Sequence, residues 1–278
     1  MLNSRRIMIS GASGFLGMHL AAMLRERGFD VVCFTHKDLE ITDPEAVRTA
    51  VCGCRPDVVV NCAAISSTGY AKDHPEESMA INVQGPVNIA RACLECGSSF
   101  YTMSSDQVYG GCALSIPLPE DLDLAPNNVY GQHKLLMEKE VLSVLPSAVV
   151  LRLSWMFEAY DAARPHVDMV SRIAGAVQRG ECIKASTKEL RGITCVDDVC
   201  DNIIRSFGIL PGGVYNFGAG NTLDSYHTLA NVFRAKGYPS ELVVPDDSWG
   251  RNLSMDCSKL DAFGISFRGT EESLVSVL

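Results

Sequence analysis

Apolar residues in this chain follow two alternating rhythms: short β-branched runs, then longer stretches with an apolar residue every three or four positions. The first run, Arg6–Ser10, ends in glycine, and Phe15 to Arg27 then places Phe15, Leu16, Leu20, Met23 and Leu24 at helical spacing. Asp30 to Thr35 reads as a second strand. Asp43-Pro44 predicts a helix start, with an acidic cap and proline in the first turn. Asp57-Val-Val-Val-Asn61 is apolar without alternation, as expected of a parallel strand covered on both faces. The spacing predicts one long helix over Glu76 to Cys96, a strand over Ser99 to Ser104, a helix over Val129 to Leu145 and a strand over Ala148 to Leu153. Strands alternating with helices predict an α/β fold: a Rossmann-type doubly wound parallel sheet with helices on both faces.

Beyond Ser154 the rhythm loosens. The pattern predicts a loop over Glu158 to His166, helices over Val167 to Gln178 and Asp197 to Phe207, and a strand over Gly213-Val-Tyr-Asn-Phe217 that rejoins the sheet. A further strand is expected over Glu241 to Val244. Residues 1–154, with 192–217 rejoining them, read as a dinucleotide-binding half; 155–191 and 218–278 read as a smaller, discontinuous substrate lobe. Ligands of such sheets bind at the carboxyl ends of the strands, at the switch point. The lobe is expected to form the other wall of that cleft.

The turn between the first strand and first helix is Gly11-Ala-Ser13-Gly14-Phe15-Leu16-Gly17. A pyrophosphate needs close backbone approach and a helix N-terminus with free N–H groups. A Cβ at Gly14 or Gly17 would obstruct the phosphate or the helix–strand contact. In this context the glycines predict a dinucleotide site; on their own they would also suit a tight turn. An acid at the end of the second strand would hold the ribose 2′-hydroxyl of NAD. This chain has Cys33-Phe-Thr-His36-Lys37 there, with no carboxylate before Asp38. His36, Lys37 and the Ser13 hydroxyl suit the 2′-phosphate of NADP, which favours NADP over NAD; His36 and Lys37 are equally consistent with a solvated loop.

Tyr130-Gly-Gln-His-Lys134 opens a predicted helix, and positions four apart share a face. A lysine ammonium beside a phenol is expected to lower its pKa, and a tyrosine so tuned can exchange a proton with a carbonyl oxygen. Ser104-Ser105-Asp106 ends the fourth predicted strand, facing the same cleft, where a hydroxyl can hold the carbonyl. Asn61-Cys-Ala63-Ala64 ends the third, and its small residues let a cofactor pass closely. Asn82 suits either a role in positioning the lysine or a plain helix surface.

Charge narrows the partners. The 278 residues carry 24 Lys plus Arg against 33 Asp plus Glu, a net charge of −9, with no basic run. That excludes nucleic-acid binding through phosphate neutralisation. No apolar stretch is long enough for a bilayer, and Met1 to Ser10 lacks the pattern of a signal peptide, so a cytoplasmic location is expected. The 11 cysteines are scattered among apolar residues. Cys93 and Cys96 form a C-x-x-C without a second pair nearby, so no metal is expected and free thiols are.

With these motifs in order, the chain resembles the extended short-chain dehydrogenase/reductase superfamily, and within it the dTDP-4-dehydrorhamnose reductase family. The resemblance rests on the glycine motif, Asp38-Leu-Glu-Ile-Thr-Asp43, Asn61-Cys-Ala-Ala64, Met103-Ser-Ser-Asp-Gln-Val-Tyr-Gly-Gly111, Tyr130-Gly-Gln-His-Lys-Leu-Leu-Met-Glu138, Leu151-Arg-Leu-Ser-Trp155 and Met255-Asp-Cys-Ser-Lys-Leu260. It implies a reductase of a nucleotide-linked 4-keto sugar in which Ser105 orients the carbonyl, Tyr130 donates the proton and Lys134 holds the cofactor ribose. It places Trp155 near the sugar and Asp106, Arg191 and Arg251 in the substrate region, and it suggests a homodimer. Arg191-Gly-Ile-Thr194 stands where the family has a Pro-Thr pair, and the proline usual after the arginine matched by Arg251 is also absent. A nucleotide-sugar epimerase or dehydratase would use the same residues. The regulatory β subunit of methionine adenosyltransferase is similar as well, which keeps a non-catalytic, cofactor-binding subunit as a third reading.

Overall fold

Successive residues of a strand point to opposite faces of a sheet, and here both faces are apolar. Ile7, Ile9, Val58, Val60, Tyr101, Met103 and Leu151 pack on one face, and Met8, Val59, Phe100 and Val150 on the other. The computed structural model describes residues 5–159 and 168–278. Its central sheet is parallel throughout, in the order β2-β1-β3-β4-β5-β9. The strands are β1 (Arg6–Ser10), β2 (Asp30–Phe34), β3 (Val58–Asn61), β4 (Ser99–Ser105), β5 (Val149–Leu153) and β9 (Gly213–Phe217). This is the expected Rossmann-like, doubly wound sheet. Its winding reverses between β1 and β3, which opens a crevice at their carboxyl ends.

Helices α1 (Phe15–Glu26) and α8 (Val196–Ser206) cover the first face; α2 (Pro44–Cys54), α5 (Gly85–Cys96) and α6 (Val129–Val144) cover the second. In α1, Leu16, Leu20 and Leu24 recur every four residues and are buried. Each contributes about 1.5–3 kcal/mol on burial. The Asp43 side chain caps α2 by accepting from Glu45 and Ala46 N–H, with Pro44 in the first turn, as the pattern predicts.

The helix expected over Glu76 to Cys96 is not continuous. It runs as α4 (Pro75–Met79), a π turn over Ala80–Gln84, and α5. A π turn adds one residue without changing the apolar period on either side, so the pattern does not show it. Before it lies α3 (Thr68–Asp73), capped by the Ser67 hydroxyl and too short to give a readable period.

The other strands form two parallel pairs, β6 (Trp155–Phe157) with β8 (Ile193–Cys195), and β7 (Ile183–Leu190) with β10 (Val243–Asn252). They pack with α7 (Met169–Arg179), α9 (Ser225–Lys236) and α10 (Thr270–Val277) around two small apolar clusters. Strand β7 is absent from the sequence pattern, and β10 extends well past the expected Val244. Both are rich in charged residues, so pairing rather than an apolar run defines them. The expected loop over 158–166, beyond Ala159, and the helix start at Val167 lie outside the described residues.

The expectation that all cysteines are free is corrected at one place. Helices α2 and α5 lie side by side and join Cys52 to Cys96 in a disulfide; the other nine cysteines are free. The pairing spans 44 residues of sequence and depends on helix packing that spacing alone does not convey. Among the described residues no helix is long and apolar enough to cross a membrane.

Candidate active site

The glycine turn sits at the reversal between β1 and β3. Gly11 has φ +70°, and a Cβ there would lie 2.4 Å from the Ala63 backbone nitrogen. At Gly17 a Cβ would lie 2.3 Å from the Gly11 carbonyl oxygen. These two glycines let β1, α1 and the loop after β3 close on one another. At Gly14 the nearest neighbour would be the Gly11 oxygen at 3.3 Å. Its missing side chain therefore mainly leaves open space at the helix start. Gly14 and Ser13 are exposed, and no side chain caps α1. A dinucleotide pyrophosphate fits this cradle, held by first-turn N–H groups.

The neighbouring residues divide the labour. Leu16 faces the core, and half-buried Phe15 packs against His19 at 4.9 Å between ring centres. The Asn61 side chain accepts from Ser10 (2.7 Å) and Ala63 N–H (3.2 Å) and donates to Thr102 (3.2 Å), so it shapes the loop carrying Ala63 and Ala64. Asn82 is buried and does not lie on a helix surface. It accepts from Ile65 N–H and donates to the Ile65 carbonyl, both at 3.0 Å, holding the same loop from the π turn. After β2, His36 and Lys37 are exposed, whereas the Asp38 carboxylate turns back to accept from Thr35 N–H (2.9 Å) and its hydroxyl (2.6 Å).

Tyr130 and Lys134 lie one turn apart at the start of α6, which the Asn128 side chain caps through Gly131 N–H at 2.8 Å. Ser105 ends β4; its hydroxyl donates to Asp106 (3.1 Å) and accepts from Gln107 N–H (3.2 Å). All three are buried. Burial, aided by the Asp106 charge, pushes the Tyr130 phenol up to about 12, against the opposing effects of Ser105 and Arg191. The expectation that Lys134 lowers it is therefore corrected. The Lys134 ammonium lies 5.8 Å from the Tyr130 ring centre and donates to the Met103 carbonyl at 2.8 Å. Burial pushes Lys134 itself down to about 8, opposed by Glu138 and Cys62.

Behind these residues is a buried polar network to which the sequence reading assigned no role. Glu138, one turn beyond Lys134, takes a two-pronged ion pair from Arg152 of β5 at 2.7 and 2.9 Å, and accepts from the Ser104 hydroxyl. Arg152 also donates to the Tyr109 hydroxyl (2.8 Å), which donates to Asn216 of β9 (2.8 Å). The signal was present: Glu138 follows Lys134 by four positions, and Arg152 interrupts an otherwise apolar strand.

The remaining predicted residues meet in the lobe. Trp155, Arg191 and Arg251 line one cavity of about 230 Å³ between β7, β10 and α9. Arg191 pairs with the buried Asp106 carboxylate at 2.8 Å, which ties this cavity to Ser105. Arg251 pairs with Glu189 at 2.7 Å. Arg172 and Lys184 also line the cavity, so among the described residues four cations line it with the single acid Glu189. A chain of net charge −9 thus holds a locally cationic recess.

The family described as RmlD substrate binding domain matches residues 5–255. The chain is 31% identical over 244 residues to a dTDP-4-dehydrorhamnose reductase of Mycolicibacterium smegmatis, spanning 87% of this chain and 72% of that one. It is 40% identical over 155 residues to a dTDP-4-dehydrorhamnose reductase of Streptomyces griseus, spanning 55% of this chain and only 51% of that one. The solved dTDP-4-dehydrorhamnose reductase of Bacillus anthracis, in complex with NADP, superposes with a TM-score of 0.86 at 23% identity, over 99% of this chain and 97% of that one. A UDP-glucose 4-epimerase of Thermotoga maritima with UDP-glucose gives 0.83 at 21%, over 98% and 97%. At such identities the structural likeness establishes the fold. Fold, site and relatives together define an NAD(P)-dependent oxidoreductase of the extended short-chain dehydrogenase/reductase type. The chain belongs to the RmlD substrate-binding-domain family.

Proposed function

We propose that this chain is an NADPH-dependent reductase of a 4-keto sugar carried on a nucleoside diphosphate, with residues 1–154 and 192–217 binding the cofactor and the remainder the substrate. The observation that carries this reading is Tyr130. It is buried, it stays protonated far above neutral pH, and it lies next to a serine that connects through Asp106 to Arg191 of the cationic cavity. A proton donor in the reducing direction needs a phenol that is protonated at working pH.

When bound, the reduced nicotinamide supplies hydride to the carbonyl carbon. Tyr130 gives its phenolic proton to the carbonyl oxygen, and the Ser105 hydroxyl orients that oxygen. Lys134, with its charge supported by Glu138, would hold the cofactor ribose. Gly11, Gly14 and Gly17 form the pyrophosphate turn, with Phe15, Leu16, Ala63 and Ala64 beside it. The exposed His36 and Lys37, with Asp38 occupied by Thr35, support NADP over NAD.

The test follows NADPH oxidation with a thymidine diphosphate 4-keto-6-deoxyhexose, and repeats it with NADH. Tyr130→Phe is expected to lower kcat by about 10²–10⁴-fold with cofactor binding retained. Equal rates for Tyr130→Phe and wild type would remove the proposed proton donor. NAD retained through purification, with no net NADPH consumption, would replace the reductase with an epimerase that recycles its cofactor.

A further inference from the structure

The chain has only two tryptophans, and both line the lobe cavity. Each has an arginine over its ring: Arg191 lies 5.5 Å from the Trp155 ring centre and Arg251 5.7 Å from that of Trp249. The two pairs differ in their reach. Arg191 also pairs with Asp106 beside Ser105, so the Trp155 pair belongs to the catalytic end. Among the described residues the Trp249 pair has no such link: Arg251 pairs instead with Glu189 at 2.7 Å.

Trp249 is positioned by an irregular stretch of β10. The register with β7 shifts between Asp246 and Gly250, and such irregularities re-aim side chains. The shifted segment is fixed at both sides. The Ser186 hydroxyl donates to the Trp249 carbonyl at 2.6 Å, and the Lys188 ammonium donates to the Asp247 carbonyl at 2.7 Å. A Cβ at Gly250 would lie 2.4 Å from the Lys188 Cβ, so the close approach that follows Trp249 needs glycine. The indole nevertheless remains 44% exposed, which a packing role alone would not favour.

We propose that Trp249 stacks on the base of the nucleoside diphosphate and that Arg251 beside it takes the phosphate next to that base. This deepens the reductase reading and rests on it for the class of ligand. Trp155 and Arg191 then serve the sugar end, and the cavity holds the substrate between two indole–guanidinium pairs. An indole offers a flat π surface to any base, and a guanidinium offers paired donors to phosphate oxygens. Trp249 thus selects for a base being present and Arg251 for the charge, two requirements that can be separated experimentally.

With only two tryptophans, each single-tryptophan protein reports one end of the cavity. In Trp155→Phe, thymidine diphosphate is expected to quench the remaining Trp249 emission, and inorganic pyrophosphate to bind without that quenching. Trp249→Ala should weaken thymidine diphosphate by about 10–100-fold and leave pyrophosphate affinity unchanged, with Trp249→Phe recovering most of the loss. Unchanged thymidine diphosphate affinity in Trp249→Ala overturns the proposal, as does an equal loss for both ligands, which would make Trp249 a wall of the cavity. If no keto sugar is reduced but these affinities behave as stated, the reductase reading fails and the base site stands. If keto sugar is reduced but Trp249→Ala binds normally, the base site alone fails.

Discussion

In the sheet half, the surface offered to ligand is largely main chain: a glycine turn, first-turn N–H groups and the small residues Ala63 and Ala64. In the lobe, the surface is side chain: among the described residues, two indoles and four cations around a recess. A main-chain surface depends on where a Cβ is forbidden, and so it marks the sequence with glycines at set spacing. A side-chain surface depends on which strands happen to pair, and leaves only scattered residues. The first kind of surface suits what all dinucleotides share, and the second can be altered residue by residue.

That contrast should break first at Glu138, where the sheet half does depend on side chains. Glu138→Ala leaves the Arg152 guanidinium buried beside Tyr109 without its carboxylate. A loss of about 3–5 kcal/mol is expected in chemical denaturation. A loss below about 1 kcal/mol would mean that water replaces the carboxylate and that the network is incidental.

The glycines sharpen the contrast. Gly11→Val meets the Ala63 main chain and a φ of +70°, so a cost of about 2–3 kcal/mol is expected. Gly14→Ala meets only one atom, at 3.3 Å, and is expected to change stability by under about 0.5 kcal/mol while still weakening NADPH in a calorimetric titration. Equal stability losses for the two would show that Gly14 serves folding and not the ligand.

A smaller effect separates the titrations of Lys134 and Tyr130. Lys134 is pushed from its ordinary 10.5 down to about 8 by burial, whereas Tyr130 is pushed up to about 12. Between about 8 and 10.5 the folded protein binds fewer protons at Lys134 than the unfolded chain, so this group adds stability as pH rises through that window. Activity should move the other way. The charged lysine is lost, and kcat/KM of the free enzyme should fall up to tenfold per pH unit above about 8. Lys134→Arg should abolish that fall. A decline that survives in Lys134→Arg would belong to another group.

The legibility of the sequence follows the same division. Strands β1 to β5 could be read because both faces of the sheet bury apolar residues, and the grouping of Ser105, Tyr130 and Lys134 because they sit at a strand end and at helical spacing. Trp155, Arg191 and Arg251 were found through family resemblance, and the structure brings them to one cavity. Trp249 was missed because its place depends on a register shift in β10, a strand whose outer half carries Asp246, Asp247, Ser248 and Arg251 and has no apolar rhythm. Glu138 and Arg152 were missed because a buried ion pair looks in sequence like two ordinary charges. The Cys52–Cys96 bond and the π turn were hidden for a related reason: each is a property of how helices lie together.

The π turn also sets an angle. Each residue of an α-helix advances about 100° around the axis, so the one extra residue between Ala80 and Gln84 rotates α4 by roughly that amount relative to α5. At the present angle the Ser78 hydroxyl meets His133 Nδ1 at 2.9 Å and accepts from Asn82 at 3.1 Å. His133 lies between Tyr130 and Lys134 on α6. Deleting one residue from this turn would swing Ser78 away from α6 and Asn82 away from Ile65 while leaving Ser105, Tyr130 and Lys134 in the chain. The length of the chain at this point acts as a rotational setting for α4, and through Ser78 for its contact with α6.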